Sequence, residues 1–240
     1  MNPHPHEKST ELFAGLAESF KVDVDSCDKD KWSAALTMAK ALDNLVDDDH
    51  IYDSRLYSER VMQGERIPYL TNEEVEFVRT TYESLSSDSQ ERWQQSAAKL
   101  GAFALKRIEA DNIHDYLMVV AEESLLMADV LLVEADSERS DIAQRQTFND
   151  WMPQAICTIY ALDTCSDFIK DHNEGNMSVP ISPRAVGALA RCAFAESFKL
   201  AKITPLSAYS AVANRAITKT IEKASQSGFW SNQFIWDRSR

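Results

Sequence analysis

Residues 148–170 read FNDWMPQAICTIYALDTCSDFIK. From Pro153 to Leu162 nearly every residue is apolar, and then Asp163 and Asp167 follow four apart, with Asp171 four further on. Apolar residues at helical spacing predict one long helix here, with Pro153 in its first turn or two, where a missing N–H costs least. Three Asp at i, i+4 and i+8 share one face of that helix. An apolar wall followed by a row of carboxylates is what a deep pocket with a charged mouth needs.

The same helical spacing recurs along most of the chain. Helices are predicted over about 10–20, 29–52 with Asp28 as N-cap, from Asn72 as cap to before Asp88, 88–109, 111–136, 148–170, 183–203, and from Pro205 to before Gly228. Between 54 and 72, Gly64 and Pro68 suggest a loop with one short helix. Trp32, Leu36, Ala39, Leu42 and Val46 would form the apolar stripe of the second helix. No alternating strand pattern of useful length and no internal repeat occurs. Only 6 Gly and 7 Pro are present in 240 residues, about half the usual share. The expectation is a single all-α domain over 1–240, a bundle of about eight helices, with 1–9 and 229–240 as tails.

Composition limits the partners. Apolar residues make up 44% and charged residues 26%, and the net charge is −13. Such a field repels phosphate backbones and anionic membranes, which argues against nucleic acid as a partner. No apolar run is long enough for a membrane span, and MNPHPHEKSTE at the start lacks the apolar core of a signal peptide. Cys27, Cys157, Cys165 and Cys192 form no CxxC pair, so they are expected to be reduced, buried thiols of a cytoplasmic protein. The oligomeric state is left open.

A second acidic cluster lies at 43–49, Asp-Asn-Leu-Val-Asp-Asp-Asp. Asp43 and Asp47 are one turn apart, about 6 Å along the axis. Like charges at that spacing, anions near a helix C-terminus and the poor helix propensity of Asp all disfavour the arrangement locally. A compensating cation would resolve all three, although such a run is also what a solvated helix end looks like. Hard cations such as Mg²⁺ take oxygen ligands and keep waters, so one or two carboxylates per ion suffice and a diphosphate supplies further oxygens. Two facing helices could then hold metals between Asp43, Asp47 and Asp48 on one side and Asp163, Asp167 and Asp171 on the other. No phosphate-binding glycine loop is present. Asp111 and His114 resemble half of a di-iron site, but no Glu-x-x-His occurs.

Three segments resemble the squalene and phytoene synthase branch of class I isoprenoid synthases. KALDNLVDDD at 40–49 is similar to the family's first Asp-rich motif. YALDTCSDFIKDHNEGNMSVP at 160–180 is similar to its second, with Gly175 and Pro180 matching the tail. HDYLMVVAEESLLMADVLL at 114–132 stands where the family has its central cavity helix. The resemblance implies an isoprenoid-synthase-like bundle and Mg²⁺-dependent ionisation of an allylic prenyl diphosphate, followed by cyclisation or by prenyl transfer to a small acceptor. Two or three Mg²⁺ ions would be held by Asp43, Asp47, Asp163 and Asp167, with Asp48 and Asp171 as further ligands. Arg55, Arg60, Arg66 and Lys170 are the candidate diphosphate contacts. Tyr116, Tyr160, Phe168 and Phe194 are candidates to line a cation-stabilising cavity. The second motif carries Asp163 and Ser166 where the family usually has Asn and Arg. Glu122 and Leu125 stand where the family needs small residues, which implies a short prenyl substrate and a role for Glu122 in binding. The alternative is a non-catalytic helical binding or assembly protein that retains the fold.

Overall fold

The computed structural model describes residues 7–24, 26–47, 53–132, 141–175, 177–206 and 208. Among these there are eight α-helices and no strand: α1 (Glu7–Ser19), α2 (Ser26–Asp47), α3 (Ser54–Met62), α4 (Asn72–Ser84), α5 (Ser87–Glu109), α6 (Ile113–Val130), α7 (Ile142–Glu174) and α8 (Pro183–Ile203). The all-helical reading therefore holds for the described residues. The predicted helix after Pro205 and the tail at 229–240 lie outside them, as do residues 1–6 of the other predicted tail. Helix is already present from Glu7.

The centre of the bundle is α2, which packs against α1, α4 and α5. Residues 31–35, Thr37, Met38, Ala41, Leu42 and Leu45 are all buried. That is a wider face than the predicted stripe, in which Leu36 and Ala39 are only half-buried. Ala34, Ala35 and Ala41 keep the helix thin enough for neighbours to close in on several sides. Two α2 side chains close the C-terminal end of α6, where the last carbonyls lack helical partners. Trp32 Nε1 donates to the Leu131 carbonyl at 2.8 Å, and the Lys31 ammonium donates to the Leu132 carbonyl. A cation suits that end of the helix dipole.

Around Trp32 an aromatic cluster locks α1, α2 and α7 together. Ring centroids lie 5.8 Å apart for Phe13–Trp32, 5.5 Å for Phe20–Phe148 and 6.5 Å for Trp32–Phe148. Phe148 and Trp151 stack at 5.8 Å. A second cluster forms at the far end of α7. There Tyr116 and Val120 of α6, Phe168 of α7 and Ala185 and Leu189 of α8 close over Met177 and Val179 of the extended α7–α8 connection.

The helix α7 is longer than the sequence suggests, 33 residues, and Pro153 lies in its interior rather than in its first turns. Asp141 caps the helix by accepting from the Ala143 N–H at 2.8 Å, which starts it six residues before Phe148. An interior Pro removes one ladder bond and costs about 3 kcal/mol. The buried Phe148, Trp151 and Met152 before it, and Ala155 and Ile156 after it, hold both sides in the core. Gly175, at φ 82°, ends α7 in the left-handed conformation that a C-terminal stop requires. Several starts also shift by a residue. Thr71, not Asn72, caps α4 in a reciprocal box: Glu74 N–H donates to Thr71 Oγ1 at 3.2 Å and Thr71 N–H to Glu74 Oε2 at 2.8 Å.

Candidate functional site

The uninterrupted run of α7 places Asp163, Asp167 and Asp171 on successive turns, and all three are half-buried. Ser166 Oγ–H donates to the Asp163 carbonyl at 2.8 Å and lies 3.4 Å from Asp167 Oδ1. Phe168, between Asp167 and the exposed Ile169, is only 2% exposed and fixes the rotation of this part of the helix. On α2 the helix runs unbroken to Asp47. The side chains of Asp43 and Asp47, and the whole of Asp48, lie outside the described residues. Among the described residues no three His, Cys, Asp or Glu side chains converge as a metal-binding group. The donor set on α7 is nonetheless all hard oxygen, half-buried and spaced by single turns, which suits a cation that retains waters.

The helices α2 and α7 meet near their starts, at the Trp32–Phe148 contact. Asp43 lies eleven residues beyond Trp32, and Asp163 fifteen beyond Phe148. Each acid row therefore begins about 16–22 Å along its helix from the shared aromatic cluster.

The candidate substrate contacts scatter. Arg55 is exposed and sits 3.4 Å from Glu59. Arg60 pairs with Glu65 at 2.9 Å, donates to the Arg66 carbonyl at 3.2 Å and covers the Tyr57 ring. Both belong to α3, which packs on α4 and α5. Arg66 is exposed beyond it, and Lys170 is exposed on α7. Tyr116 is 2% exposed and is a filler of the second cluster, and half-buried Tyr160 packs against both clusters. Phe194 is corrected outright: it is 74% exposed on the outer side of α8, stacked on Phe198, and lines no cavity.

The rotation of α6 overturns the expectation for Glu122 and Leu125. Glu122 is exposed and Leu125 is 51% exposed, whereas the neighbours Glu123 and Ser124 point inward. Tyr116, Val120, Ser124, Met127 and Ala128 form the buried face, and one helical residue of phase puts Glu122 on the other side. Glu123 Oε2 is 3.4 Å from Arg107 Nη1 of α5, which offsets the cost of burying its charge.

A polar seam between α6, α7 and α8 has no counterpart in the sequence reading. Ser124 Oγ lies 3.0 Å from Cys157 Sγ. Gln154 Nε2 donates to Glu196 Oε2 at 2.7 Å, Thr158 Oγ1 to the Glu196 carbonyl at 3.1 Å, and Lys199 pairs with the Glu196 carboxylate at 2.6 Å. Gln154 and Thr158, one turn apart inside the apolar run after Pro153, were the available signal. Burial raises the Glu196 carboxyl pKa, but the Lys199 and Gln154 hydrogen bonds outweigh it and hold the group below its ordinary value. Cys157, Cys165 and Cys192 are free, half-buried thiols. Burial pushes all three up, which keeps them protonated and unreactive. Cys27's side chain lies outside the described residues.

Two shallow surface depressions lie away from the acid row. One runs between Ser19–Lys21 and Ala143, Gln144, Thr147 and Pro205, and the other along 66–71. No helix among the described residues is long and apolar enough to cross a membrane. No protein-family model, no curated protein and no solved structure matches this chain.

Proposed function

We propose that the chain binds an allylic prenyl diphosphate through Mg²⁺ and ionises it, with cyclisation or transfer to a small acceptor as the outcome, in an isoprenoid-synthase-like bundle. The observation that carries this reading is the sequence of environments along α7. Buried Met152, Ala155 and Ile156 are followed two turns further on by Asp163, the first of three half-buried Asp on successive turns. Asp163 and Asp167 would hold the metal from α7, with Asp171 beside them, and Asp43, Asp47 and Asp48 from α2. The bound metal supplies charge neutralisation for the departing diphosphate. The chain's own part is to orient the diphosphate at the acid rows and to keep water from the allylic cation with apolar side chains of α7. Lys170 is the candidate cation closest in sequence to the acid row. Glu122 and Leu125, being exposed, place no limit on the prenyl chain.

The test is incubation with prenyl diphosphates of increasing length and Mg²⁺, scored for diphosphate release and product mass. Release is expected with Mg²⁺ and none in excess chelator, because a chain of net charge −13 repels the bare anion. Asp167→Ala and Asp43→Ala should each abolish release, a loss of at least about 100-fold, with the helical circular dichroism unchanged. Near-normal turnover in either variant removes the metal assignment. Metal-independent diphosphate binding without release would identify the non-catalytic relative instead.

A further inference from the structure

Two neighbouring helices expose apolar residues away from both cores. On α8, Phe194 and Phe198 are 74% and 56% exposed and stack with 6.5 Å between centroids. Exposed Val186 and Ala190 continue that stripe toward the start of the helix. On α6, Met118 and Leu125 are exposed, with exposed Ala121 between them. Single apolar residues at a surface are ordinary, but two contiguous stripes on adjacent helices mark a contact surface.

The charges beside the two stripes are opposite. The helix α6 carries Asp115, Glu122, Glu123 and Asp129 and no Lys or Arg. The helix α8 carries Arg184, Arg191, Lys199 and Lys202 against the single Glu196, in a chain of net charge −13. Glu123 pairs inside the chain with Arg107, and Lys199 with Glu196. Glu122, Asp129, Arg184 and Arg191 have no ion pair among the described residues.

The two helices also run level. Ser124 of α6 meets Cys157 of α7, and Tyr116 shares a cluster with Phe168, so α6 and α7 are antiparallel. Trp151 of α7 meets Thr204, and Thr158 meets Glu196, so α7 and α8 are antiparallel too. Hence α6 and α8 are parallel, and α7 packs behind both. Gln154 and Thr158 both bond to Glu196. Equal rise across α7 then sets Asp115 level with 184–188, Glu122 with 191–195 and Leu125 with 194–198. Acid lies level with base, at Asp115 with Arg184 and Glu122 with Arg191. Leu125 lies level with Phe194 and Phe198.

This pattern restricts how a second copy can sit on the surface. A two-fold axis across the helices lays α6 on α6 and sets acid against acid. A two-fold axis along the helices lays α6 of each copy on α8 of the other, parallel and level, and sets acid against base. We propose that the chain forms a dimer of this second kind. Leu125 packs on Phe194 and Phe198 of the partner subunit, and Glu122 pairs with Arg191 of the partner subunit. The face is two helices wide, about 20 Å, and as long as α6, about 27 Å. Its footprint of about 540 Å² per copy reaches the lower bound of about 1,000 Å² in total for a specific contact, so a dissociable dimer is expected. The dimer rests on no metal or diphosphate at the acid row.

Sedimentation equilibrium of the full chain between about 1 and 100 μM at physiological salt tests the dimer. The wild type is expected to pass from monomer to dimer over that range. Phe194→Asp should raise Kd at least about 100-fold with the helical circular dichroism unchanged. Arg191→Glu and Glu122→Arg should each raise it at least about 10-fold, because each sets like charges together at both contacts. An equimolar mixture of these two variants restores opposite charges at both contacts of the mixed dimer and should recover the wild-type Kd. Pairing of Glu122 with Arg191 inside one copy would give no such recovery. A wild type that stays monomeric at about 100 μM overturns the proposal, whatever else covers the stripes. So does a dimer that Phe194→Asp leaves intact, or a mixture that associates no more tightly than its components.

Discussion

The core around Trp32 and the core around Phe168 sit at opposite ends of α7 and are filled with different material. Near the start of α7, Phe13, Phe20, Trp32, Phe148 and Trp151 interlock through ring contacts of 5.1–6.5 Å, and Trp32 also donates to a backbone carbonyl of α6. At the other end Phe168 and Tyr116 are the only rings among eight buried residues of that cluster, and much of the remainder is Ala, Val and Leu. The acid row runs alongside this second, lighter core. Stability and candidate chemistry are thus separated along one helix. That suits a site whose like charges locally oppose folding, since the braced end carries the helix through the unfavourable part.

The largest expected effect comes from breaking the first core. Trp32→Ala removes a fully buried ring and a satisfied donor. It should cost about 4–5 kcal/mol by equilibrium denaturation, close to the whole stability of a marginal domain. A loss under about 2 kcal/mol would mean that α2 is not the centre of the fold. Phe168→Ala should cost about 3 kcal/mol. Its faster hydrogen exchange should be confined to 113–120, 160–175 and 177–190, with amides near Trp32 still protected. Uniform loss of protection would merge the two cores into one cooperative unit and remove the contrast.

Smaller perturbations sharpen the same division. Thr71→Ala deletes the α4 cap far from α7 and should cost about 1 kcal/mol, seen as a Tm drop of about 2–4 °C with diphosphate release unchanged. The smallest effect is one of pH. The Glu196 carboxyl is held below its ordinary value when folded, so its contribution is present above the unfolded pKa and lost as pH falls through the folded one. Glu196→Gln should therefore flatten part of the Tm decline between about pH 5 and pH 3. An unchanged acid limb would show that the Lys199 and Gln154 bonds do not tie α8 to α7 energetically.

Among the described residues, the presence and approximate extent of most helices were legible in the sequence because spacing, caps and stops are local. Pro183 at the start of α8, Gly175 at the end of α7 and the acidic first turn of α4 act through backbone geometry and dipoles that neighbours alter little. The row of Asp163, Asp167 and Asp171 on α7 was legible for the same reason, since residues four apart share a helical face in any surroundings. The rotation of each helix was not. The middle of α6 has three consecutive polar residues, Glu122, Glu123 and Ser124, between apolar runs, so the sequence offers several faces and does not set its phase. Contacts with Arg107 and Cys157 turn Glu123 and Ser124 inward and leave Glu122 and Leu125 outside. Pro153 shows the same limit. Propensity alone would end or start a helix there, and only burial of Phe148, Trp151, Ala155 and Ile156 on both sides outweighs one missing ladder bond. Phe194 and Phe198 would read as core on pattern alone, yet α8 presents Leu189, Ala193 and Leu200 to the bundle and leaves the two rings outside. Periodicity determines which residues travel together on a helix, and packing determines which of those groups is buried.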